Sequence, residues 1–384
     1  MTTILRNARL VIGRRILEDA WVSVSEHRIE AYGTGPKTEG VDLRGRLLAP
    51  GFIDMHVHGA LGYSFGDADP AGISAIVNHH RLHGTTTLLA GIGTDLLPQM
   101  SSAAANVAAA SLENLAGVFY EGPFLSVERK GAHDPNELRR PDSAELRTLI
   151  EAGAGETKLM TIAPELPGGI DAIRQIRASG TVAAVGHTDA DYDVTKAAFD
   201  AGATVATHLF NGMRPIHHRD PGVIVAAMED ERVTCELITD GFHLDDAMIG
   251  YVFRAVGAHR VALITDAIEA TGVGDGIYHR GTTTTVVSEG LAMLEDGSSI
   301  AGSTLTMERA VQRTVRNGGV NIVDAITSAT ATPARTLGID NHAGHIAPGY
   351  LANLVLLNDD VSIEAVMSQG SWVSGRWLTQ TTQP

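Results

Sequence analysis

The chain is poor in several residue types, and each scarcity argues against a class of protein. It has one cysteine, Cys235, among 384 residues, so no disulfide can form within the chain. Only 29 basic residues accompany 45 acidic ones, giving a net charge of −16, and this excess disfavours nucleic acid and anionic membranes as partners. No run approaches about 18 uninterrupted apolar residues, and the first residues lack the basic start and apolar stretch of a secretory signal. We therefore expect a globular protein of the cytoplasm.

Histidine, in contrast, is abundant. The chain has 16 histidines but only four lysines. Histidine is the commonest metal ligand in proteins, so the positions of the histidines are the first place to look for chemistry. Hydrophobic residues make up 44% of the chain and charged residues 19%, a composition typical of globular proteins with a full core.

The two ends of the chain share one pattern, and the middle has another. Residues 1–48 and 344–384 contain short strand-like runs separated by glycine and proline turns. Because each end has too few strands to be stable alone, we predict that the two ends pair into one small β-sandwich domain. Residues 49–343 instead alternate short apolar runs with helix-period segments, as repeated βα units do.

Eight apolar runs in the middle segment are candidate parallel strands. They are 51–55, 86–90, 117–120, 158–162, 182–185, 204–206, 233–238 and 261–265. Eight successive βα units are typical of a (β/α)8 barrel. The predicted fold class is therefore α/β, with a TIM-like barrel as the catalytic domain and a small β-sandwich domain built from both chain termini.

Six polar side chains stand at the carboxyl ends of the predicted strands. They are His56 and His58 after the first strand, Glu121 after the third, His187 after the fifth, His208 after the sixth and Asp266 after the eighth. Alternation along a strand places both histidines of the first pair on one face. A barrel gathers the carboxyl ends of its strands into one ring, where the active sites of this fold lie. Four histidines and two carboxylates in that ring predict a site for one or two divalent metals.

Short motifs around these residues resemble those of a known superfamily. The motifs are Glu121-Gly-Pro-Phe, Lys130-Gly-Ala-His133, Gly186-His187-Thr, Thr207-His208-Leu-Phe-Asn211-Gly212-Met213, Asp240-Gly-Phe-His243 and Thr265-Asp266-Ala. Together they resemble the amidohydrolase superfamily and, within it, the family that removes the acetyl group from N-acetylglucosamine 6-phosphate. The resemblance extends over nearly the whole chain, whereas the His-x-His pair alone marks only the superfamily.

The resemblance implies a set of metal ligands. It assigns Glu121, His187 and His208 to one divalent metal and lets His56 and His58 help to bind a second. Because both histidines of the pair are present, we expect a binuclear site with Glu121 as the bridging carboxylate. Zinc and iron suit these ligands best, and cobalt, nickel and manganese remain possible, so the metal and the number bound stay open.

The resemblance also implies a mechanism for amide hydrolysis. A metal-bound hydroxide attacks the acetyl carbonyl, which His133 helps to polarise. Asp266 acts first as the general base and then as the general acid that protonates the departing amine. The catalytic residues expected from the family are therefore Asp266 and His133.

The family's substrate contacts can be carried over in the same way. The phosphate contacts match the backbone amides of Asn211 and Gly212 and the side chains of Arg219 and His243, while His133 contacts the acetyl group. Active sites of this family often lie near a dimer interface, so we expect a homodimer. Whether Arg219 and His243 act on the neighbouring subunit's substrate stays open, as does closure of residues 126–130 as a lid.

The function predicted is that of a metal-dependent hydrolase of amino sugar metabolism, within carbohydrate metabolism. It would convert N-acetyl-D-glucosamine 6-phosphate into D-glucosamine 6-phosphate and acetate. One alternative is another amidohydrolase, acting either on the galactosamine epimer or on a cyclic amide as dihydroorotase does. A second alternative is a non-catalytic, metal-stabilised barrel that serves as an interaction protein, but this would predict the loss of a ligand or of Asp266, and all are present.

Overall fold

The computed structural model describes residues 2–281 and 283–375. Its strands are β1 (Thr2–Ile12), β2 (Arg15–Ser25), β3 (Arg28–Thr34), β4 (Val41–Asp42), β5 (Leu47–Pro50), β6 (Phe52–Val57), β7 (Gly59–Ala60), β8 (Tyr63–Ser64), β9 (Thr85–Gly93), β10 (Leu115–Glu121), β11 (Thr157–Ile162), β12 (Val182–Val185), β13 (Val205–Ala206), β14 (Thr234–Ile238), β15 (Val261–Ile264), β16 (Gly276–Arg280), β17 (Thr283–Ser288), β18 (Leu291–Leu294), β19 (Leu354–Leu357), β20 (Ile363–Ser368) and β21 (Ser371–Trp372). Its helices are α1 (Pro70–Leu82), α2 (Leu97–Ala109), α3 (Ser143–Ala152), α4 (Gly169–Ala178), α5 (Tyr192–Asp200), α6 (Gly222–Glu229), α7 (Asp246–Val256), α8 (Met307–Arg316), α9 (Ile322–Ala329) and α10 (Ala331–Thr336), with short 3₁₀ turns at Val127–Arg129 and Ala258–Arg260.

Eight parallel strands form the barrel. Their order around it is β6, β9, β10, β11, β12, β13, β14 and β15, and each coincides with one of the eight predicted runs. The prediction of a (β/α)8 barrel is confirmed. The strands are buried along almost their whole length, as expected where helices cover a parallel sheet.

The last barrel strand closes on the first through both backbone and side chains. The backbone N–H of Asp266 donates to the carbonyl of His56 at 2.9 Å. The Thr265 hydroxyl donates to the carboxylate of Asp54 at 2.6 Å, and this carboxylate is fully buried. The closing contacts therefore lie directly beneath two of the predicted metal ligands.

Aspartate side chains begin several of the helices that cover the barrel. The capping residues are Asp69 before α1, Asp142 before α3, Asp191 before α5 and Asp245 before α7, and each accepts a hydrogen bond from a first-turn N–H. Such caps satisfy donors that have no partner within the helix. Among residues 2–281 and 283–375, no helix is long and apolar enough to cross a membrane.

The two ends of the chain build one sheet outside the barrel. Its strand order is β21, β20, β19, β5, β1, β2 and β3, with β4 paired to β1. The ends meet where β5 runs antiparallel to β19, with Leu48 opposite Leu356. Leu5, Leu10 and Val22 are buried in the core of this sheet. The boundaries at residues 48 and 344 remain a prediction, and residues 376–384, the end of the predicted terminal β segment, lie outside the described residues.

A three-stranded antiparallel sheet follows the last barrel strand. It consists of β16, β17 and β18, and Thr283 and Thr285 on β17 face the cavity at the carboxyl end of the barrel. The sequence predicts an inserted strand at residues 282–287, which matches β17, although Thr282 itself lies outside the described residues. The insertion thus forms one wall of the cavity that contains the predicted site.

Candidate active site

The predicted metal ligands converge on one carboxylate. Oε1 of Glu121 lies 3.0 Å from Nε2 of His187 and 3.0 Å from Nε2 of His208. Oε2 of the same carboxylate lies 3.2 Å from Nε2 of His58. All four side chains are buried. Residues separated by up to 150 positions in the sequence therefore meet at the position predicted for the bridging carboxylate.

A second group of atoms lies beside the first. Nε2 of His56 is 3.1 Å from Nε2 of His58, and Oδ1 of Asp266 is 3.4 Å from both nitrogens. His56, His58, Glu121 and Asp266 each offer a ligand atom within 4.8 Å of the others, and so do Glu121, His133 and His187. The six predicted ligands therefore form one continuous cluster with Glu121 between its two halves.

Three of the histidines are held in the tautomer that a metal requires. The Nδ1–H of His187 donates to the carbonyl of Arg129 at 2.8 Å, and that of His58 donates to the carbonyl of Gly91 at 3.1 Å. The Nδ1–H of His56 donates to a carboxylate at 3.2 Å. Because each ring donates outward from Nδ1, its Nε2 lone pair faces the centre, as in metal-bound histidine. The residues present thus fit a divalent metal.

Three site residues have left-handed backbone conformations. The φ angles are 46° at His187, 29° at His208 and 51° at Asp266. Non-glycine residues rarely adopt such angles, which concentrate at functional sites where the surrounding structure holds them. Each residue is the second after a barrel strand ends, and the turn directs its side chain inward.

The charges in this cluster depend on one another. Burial raises the pKa of Glu121, but the charge on His56 and hydrogen bonds from other histidines outweigh it and hold the pKa well below its usual range. Burial likewise disfavours the ionised form of Asp266, yet His56 and His58 lower its pKa. Burial lowers the pKa of His56, and the two carboxylates raise it well above its usual value. The buried carboxylates stay ionised and require cationic charge beside them, which protonated imidazoles or a divalent metal supplies.

His133 reaches the same centre from a loop rather than from a strand end. Its Nε2 lies 3.5 Å from Oε2 of Glu121, and its ring packs perpendicular to that of His187 with centroids 4.6 Å apart. Burial lowers the pKa of His133 to about 4. At neutral pH the ring is therefore uncharged and carries one N–H donor.

The cluster opens into a cavity of about 500 Å³. Asn211, Gly212 and His243 line this cavity together with the predicted catalytic residues Asp266 and His133. His243 is fixed by Asp240, since its Nδ1–H donates to that carboxylate at 2.7 Å. Three of the four residues predicted to contact the phosphate thus line the same cavity as the metal cluster, but the backbone N–H of Asn211 donates to the carbonyl of His208 at 3.0 Å.

Arg219 is the predicted site residue that the structure does not bring into the cavity. Its side chain is exposed and contacts His218, with Nη1 and Nε2 2.7 Å apart. Backbone hydrogen bonds between His217 and Asp220 close the loop, and Arg214 binds Asp220 at 2.8 Å. These contacts turn Arg219 away from the cavity of its own chain.

The sequence analysis missed Glu236, which contacts two of the predicted ligands. Its Oε2 accepts hydrogen bonds from Nδ1–H of His56 and from the backbone N–H of His208, each at 3.2 Å. The side chain is fully buried, and Oε1 has no hydrogen-bond partner among the residues that are described. An ionisable residue inside the apolar strand β14 was the available signal, because such residues are rarely buried without a partner.

Two arginines from different segments beside the cavity bind the carboxylate of Asp189, which lies on the loop after His187. Nε of Arg129 and Nη2 of Arg214 each donate to the carboxylate of Asp189 at 2.8 Å. Arg129 belongs to the segment 126–130 that precedes His133, and Arg214 follows Asn211. The segment that precedes His133 is thus joined to the segment that follows Asn211 and Gly212. Whether residues 126–130 close as a lid is the question that the sequence analysis left open.

Comparison with known proteins agrees with this geometry. Residues 47–373 match the amidohydrolase family. Because this match covers most of the sequence, the chain belongs to the amidohydrolase family.

The more specific similarities lie with deacetylases of amino-sugar phosphates. The chain is 36% identical over 380 residues to N-acetylglucosamine-6-phosphate deacetylase of Vibrio furnissii, covering 97% of this chain and 94% of that protein. It is 32% identical over 379 residues to N-acetylgalactosamine-6-phosphate deacetylase of Escherichia coli O157:H7, covering 97% and 100%. The structure resembles a mutant N-acetyl-D-glucosamine-6-phosphate deacetylase from Mycobacterium smegmatis in complex with N-acetyl-D-glucosamine-6-phosphate, with a TM-score of 0.93, 40% identity and coverage of 97% and 99%.

Proposed function

We propose that this protein is a metal-dependent hydrolase that removes the acetyl group of N-acetyl-D-glucosamine 6-phosphate. The products are D-glucosamine 6-phosphate and acetate, and the reaction belongs to the amino sugar metabolism of the cytoplasm. The observation that carries the proposal is the cluster of four histidines and two carboxylates opening into one cavity with Asn211, Gly212 and His243. The similarity to deacetylases along nearly the whole chain supports the same assignment.

The residues would hold the metal in two subsites that share Glu121. In this proposal Glu121, His187 and His208 form one subsite, while His56 and His58 contribute to the other with Asp266 nearby. A bound divalent metal supplies an acidified water, with a pKa lowered to about 7, and polarises the amide carbonyl. The ligand set suits zinc or iron best, with cobalt, nickel and manganese as alternatives.

Asp266 would move the proton. The carboxylate of Asp266 is ionised, and its Oδ1 would accept a proton from the attacking water. The same oxygen then returns the proton to the sugar nitrogen, because an unprotonated amine is too basic to leave. His133 is neutral at pH 7, and its N–H donates to the acetyl oxygen as negative charge develops there.

The phosphate would bind on the side of the cavity formed by the loops after β13 and β14. Asn211, Gly212 and His243 line this side of the cavity, and the backbone N–H of Asn211 already donates to the carbonyl of His208 at 3.0 Å. Arg219 is exposed on its own chain, so we propose that it reaches the phosphate of the neighbouring subunit in a homodimer. A dianion bound remotely from the amide supplies binding energy that orients the acetamide.

Substitution of Asp266 tests the proposed mechanism. The metal-reconstituted protein should release acetate from N-acetylglucosamine 6-phosphate and lose this activity on chelation. Asp266→Asn should keep at least one bound metal per chain and lower kcat by about 10²- to 10⁴-fold. Near-normal turnover of this variant with metal bound would contradict the role of Asp266 as base and acid.

The galactosamine epimer is the second candidate substrate. It is favoured by the 32% identity to a protein named N-acetylgalactosamine-6-phosphate deacetylase, all of whose length is covered. Faster acetate release from N-acetylgalactosamine 6-phosphate than from the glucosamine compound would establish it. Hydrolysis of cyclic amides, the third possibility, would not depend on a phosphate group and is separated by that property.

A further inference from the structure

Arg280 brings a guanidinium group into the catalytic cavity. It is the last residue of β16, is half-buried, and lines the cavity together with the metal cluster. Its Nη2 would lie 2.8 Å from a β-carbon at Gly93 and 3.6 Å from one at Gly66. The guanidinium therefore occupies space that is free only because β9 ends in a glycine.

The position of Gly93 fixes how deep Arg280 reaches. A β-carbon at Gly91, two residues earlier on β9, would lie 2.9 Å from Nδ1 of His58. Alternate residues on a strand share a face, so both glycines face the barrel interior. Two residues of strand span about 6.6 Å. The Arg280 guanidinium therefore lies about 6.6 Å further along β9 than the ring of His58, on the same wall of the cavity.

This guanidinium has no partner in the described part of the chain. Other arginines near the site are paired, as Arg129 and Arg214 are with Asp189. No ion pair or hydrogen bond joins the guanidinium of Arg280 to another described residue, although the protein carries a net charge of −16. An unpaired guanidinium with five donors in a fixed fork is suited to a planar anion such as a carboxylate.

The phosphate is assigned to the cavity wall opposite Arg280. The orientation of the substrate inferred below rests on that part of the proposed function. In the circular strand order, β9 and β13 lie four strands apart in a barrel of eight, so they face each other across the cavity. The two ring carbons that carry the acylated nitrogen and the phosphomethyl group are also opposite one another in a pyranose. With the phosphate beside Asn211 and Gly212, the acyl group points toward β9 and Arg280.

We propose that Arg280 binds a carboxylate at the acyl end of the cavity. The methyl of an acetyl group offers this guanidinium no acceptor. Hydrolysis breaks the C–N bond, adds the oxygen of water to the acyl carbon and transfers a proton to the amine, so a carboxylate with two acceptor oxygens forms there. Two sources share this chemistry: the acid product of the reaction and an acyl group that itself ends in a carboxylate.

Product inhibition tests the first source. Acetate inhibition of N-acetylglucosamine 6-phosphate hydrolysis is measured for the wild type, for Arg280→Met and for Arg174→Met, a matched control. Arg174 is exposed and paired with Asp171 on the surface. We expect the acetate inhibition constant to rise by about 10-fold or more in Arg280→Met, the usual effect of losing a charged hydrogen bond, and to stay unchanged in the control.

The acyl substituent tests the second source. The ratio of kcat/KM for N-succinylglucosamine 6-phosphate to that for the N-acetyl compound should fall by about 10-fold or more in Arg280→Met. A change in either measurement supports a carboxylate at Arg280 and identifies its source, whereas no change in both overturns the inference. If the wild type does not hydrolyse the N-acetyl compound, the proposed function itself is wrong and the inference is withdrawn with it.

Discussion

Replacement of Glu236 by methionine should weaken metal binding while leaving the barrel folded. Methionine is similar in volume but removes the acceptor of the His56 Nδ1–H, which lies 3.2 Å from Oε2. The His56 ring is then free to change tautomer or to turn, and the backbone N–H of His208 loses its acceptor as well. The variant therefore disturbs one ligand in each half of the cluster.

The size of the effect follows from these two contacts. Loss of the partner that orients a metal-bound histidine changes metal affinity by about 10- to 100-fold, or about 1.4 to 2.8 kcal/mol. Glu236→Gln keeps an amide oxygen that accepts the same hydrogen bond, so it should retain most of the affinity. Rescue by this conservative variant distinguishes orientation of His56 from mere filling of space.

Chelator competition measures the affinity, and elemental analysis after dialysis measures the metal bound per chain. Glu231→Met serves as the matched control, because Glu231 is an exposed neighbour on the same segment. Circular dichroism of the metal-free variants checks the fold independently of the metal. Unchanged affinity and unchanged metal content in folded Glu236→Met would refute the argument that this carboxylate positions the ligands.

Three further predictions each concern a single residue. Gly93→Ala should raise the acetate inhibition constant as Arg280→Met does, because the new β-carbon would lie 2.8 Å from the Arg280 guanidinium and displace it. Burial lowers the pKa of His80 to about 3. The His80 side chain of the unfolded chain binds a proton below about pH 6.5, whereas that of the folded chain does not. The free energy of unfolding of the metal-free protein should therefore decrease as the pH falls from about 6.5 toward 3. This decrease should be smaller in His80→Gln. Burial raises the pKa of Cys235 to about 12, so its thiol should react with a disulfide reagent only after unfolding.

Each of these predictions has a clear contrary result. Acetate inhibition that is unaltered in Gly93→Ala would show that the guanidinium tolerates the added methyl group. Denaturant unfolding curves with the same pH dependence in His80→Gln and the wild type would remove His80 from the account. Rapid labelling of Cys235 in the folded protein would contradict its burial.

The barrel was predictable because its signals are local. Parallel strands covered on both faces are short apolar runs, and all eight occur where the sequence shows such runs between helix-period segments. The convergence of the predicted ligands was predictable for a related reason, since a barrel places the carboxyl end of every strand on one face. His56, His58 and Glu121 needed no knowledge of register to be grouped together.

The features that sequence reasoning missed depend on contacts between distant segments. Arg280 enters the cavity because β16 folds back against the end of β9, nearly 190 positions away in the sequence, and no local pattern reports that approach. Glu236 was hidden within a run interpreted as an apolar strand. The exposed position of Arg219 depends on backbone pairing within its loop, which short-range propensity does not determine.

The most direct test of the account is acetate release by the metal-reconstituted protein from three sugars side by side. These are N-acetylglucosamine 6-phosphate, its unphosphorylated form and N-acetylgalactosamine 6-phosphate. The account predicts that kcat/KM is highest for the first and much lower without the phosphate. Equal rates with and without phosphate, or no turnover of any of the three, would contradict it.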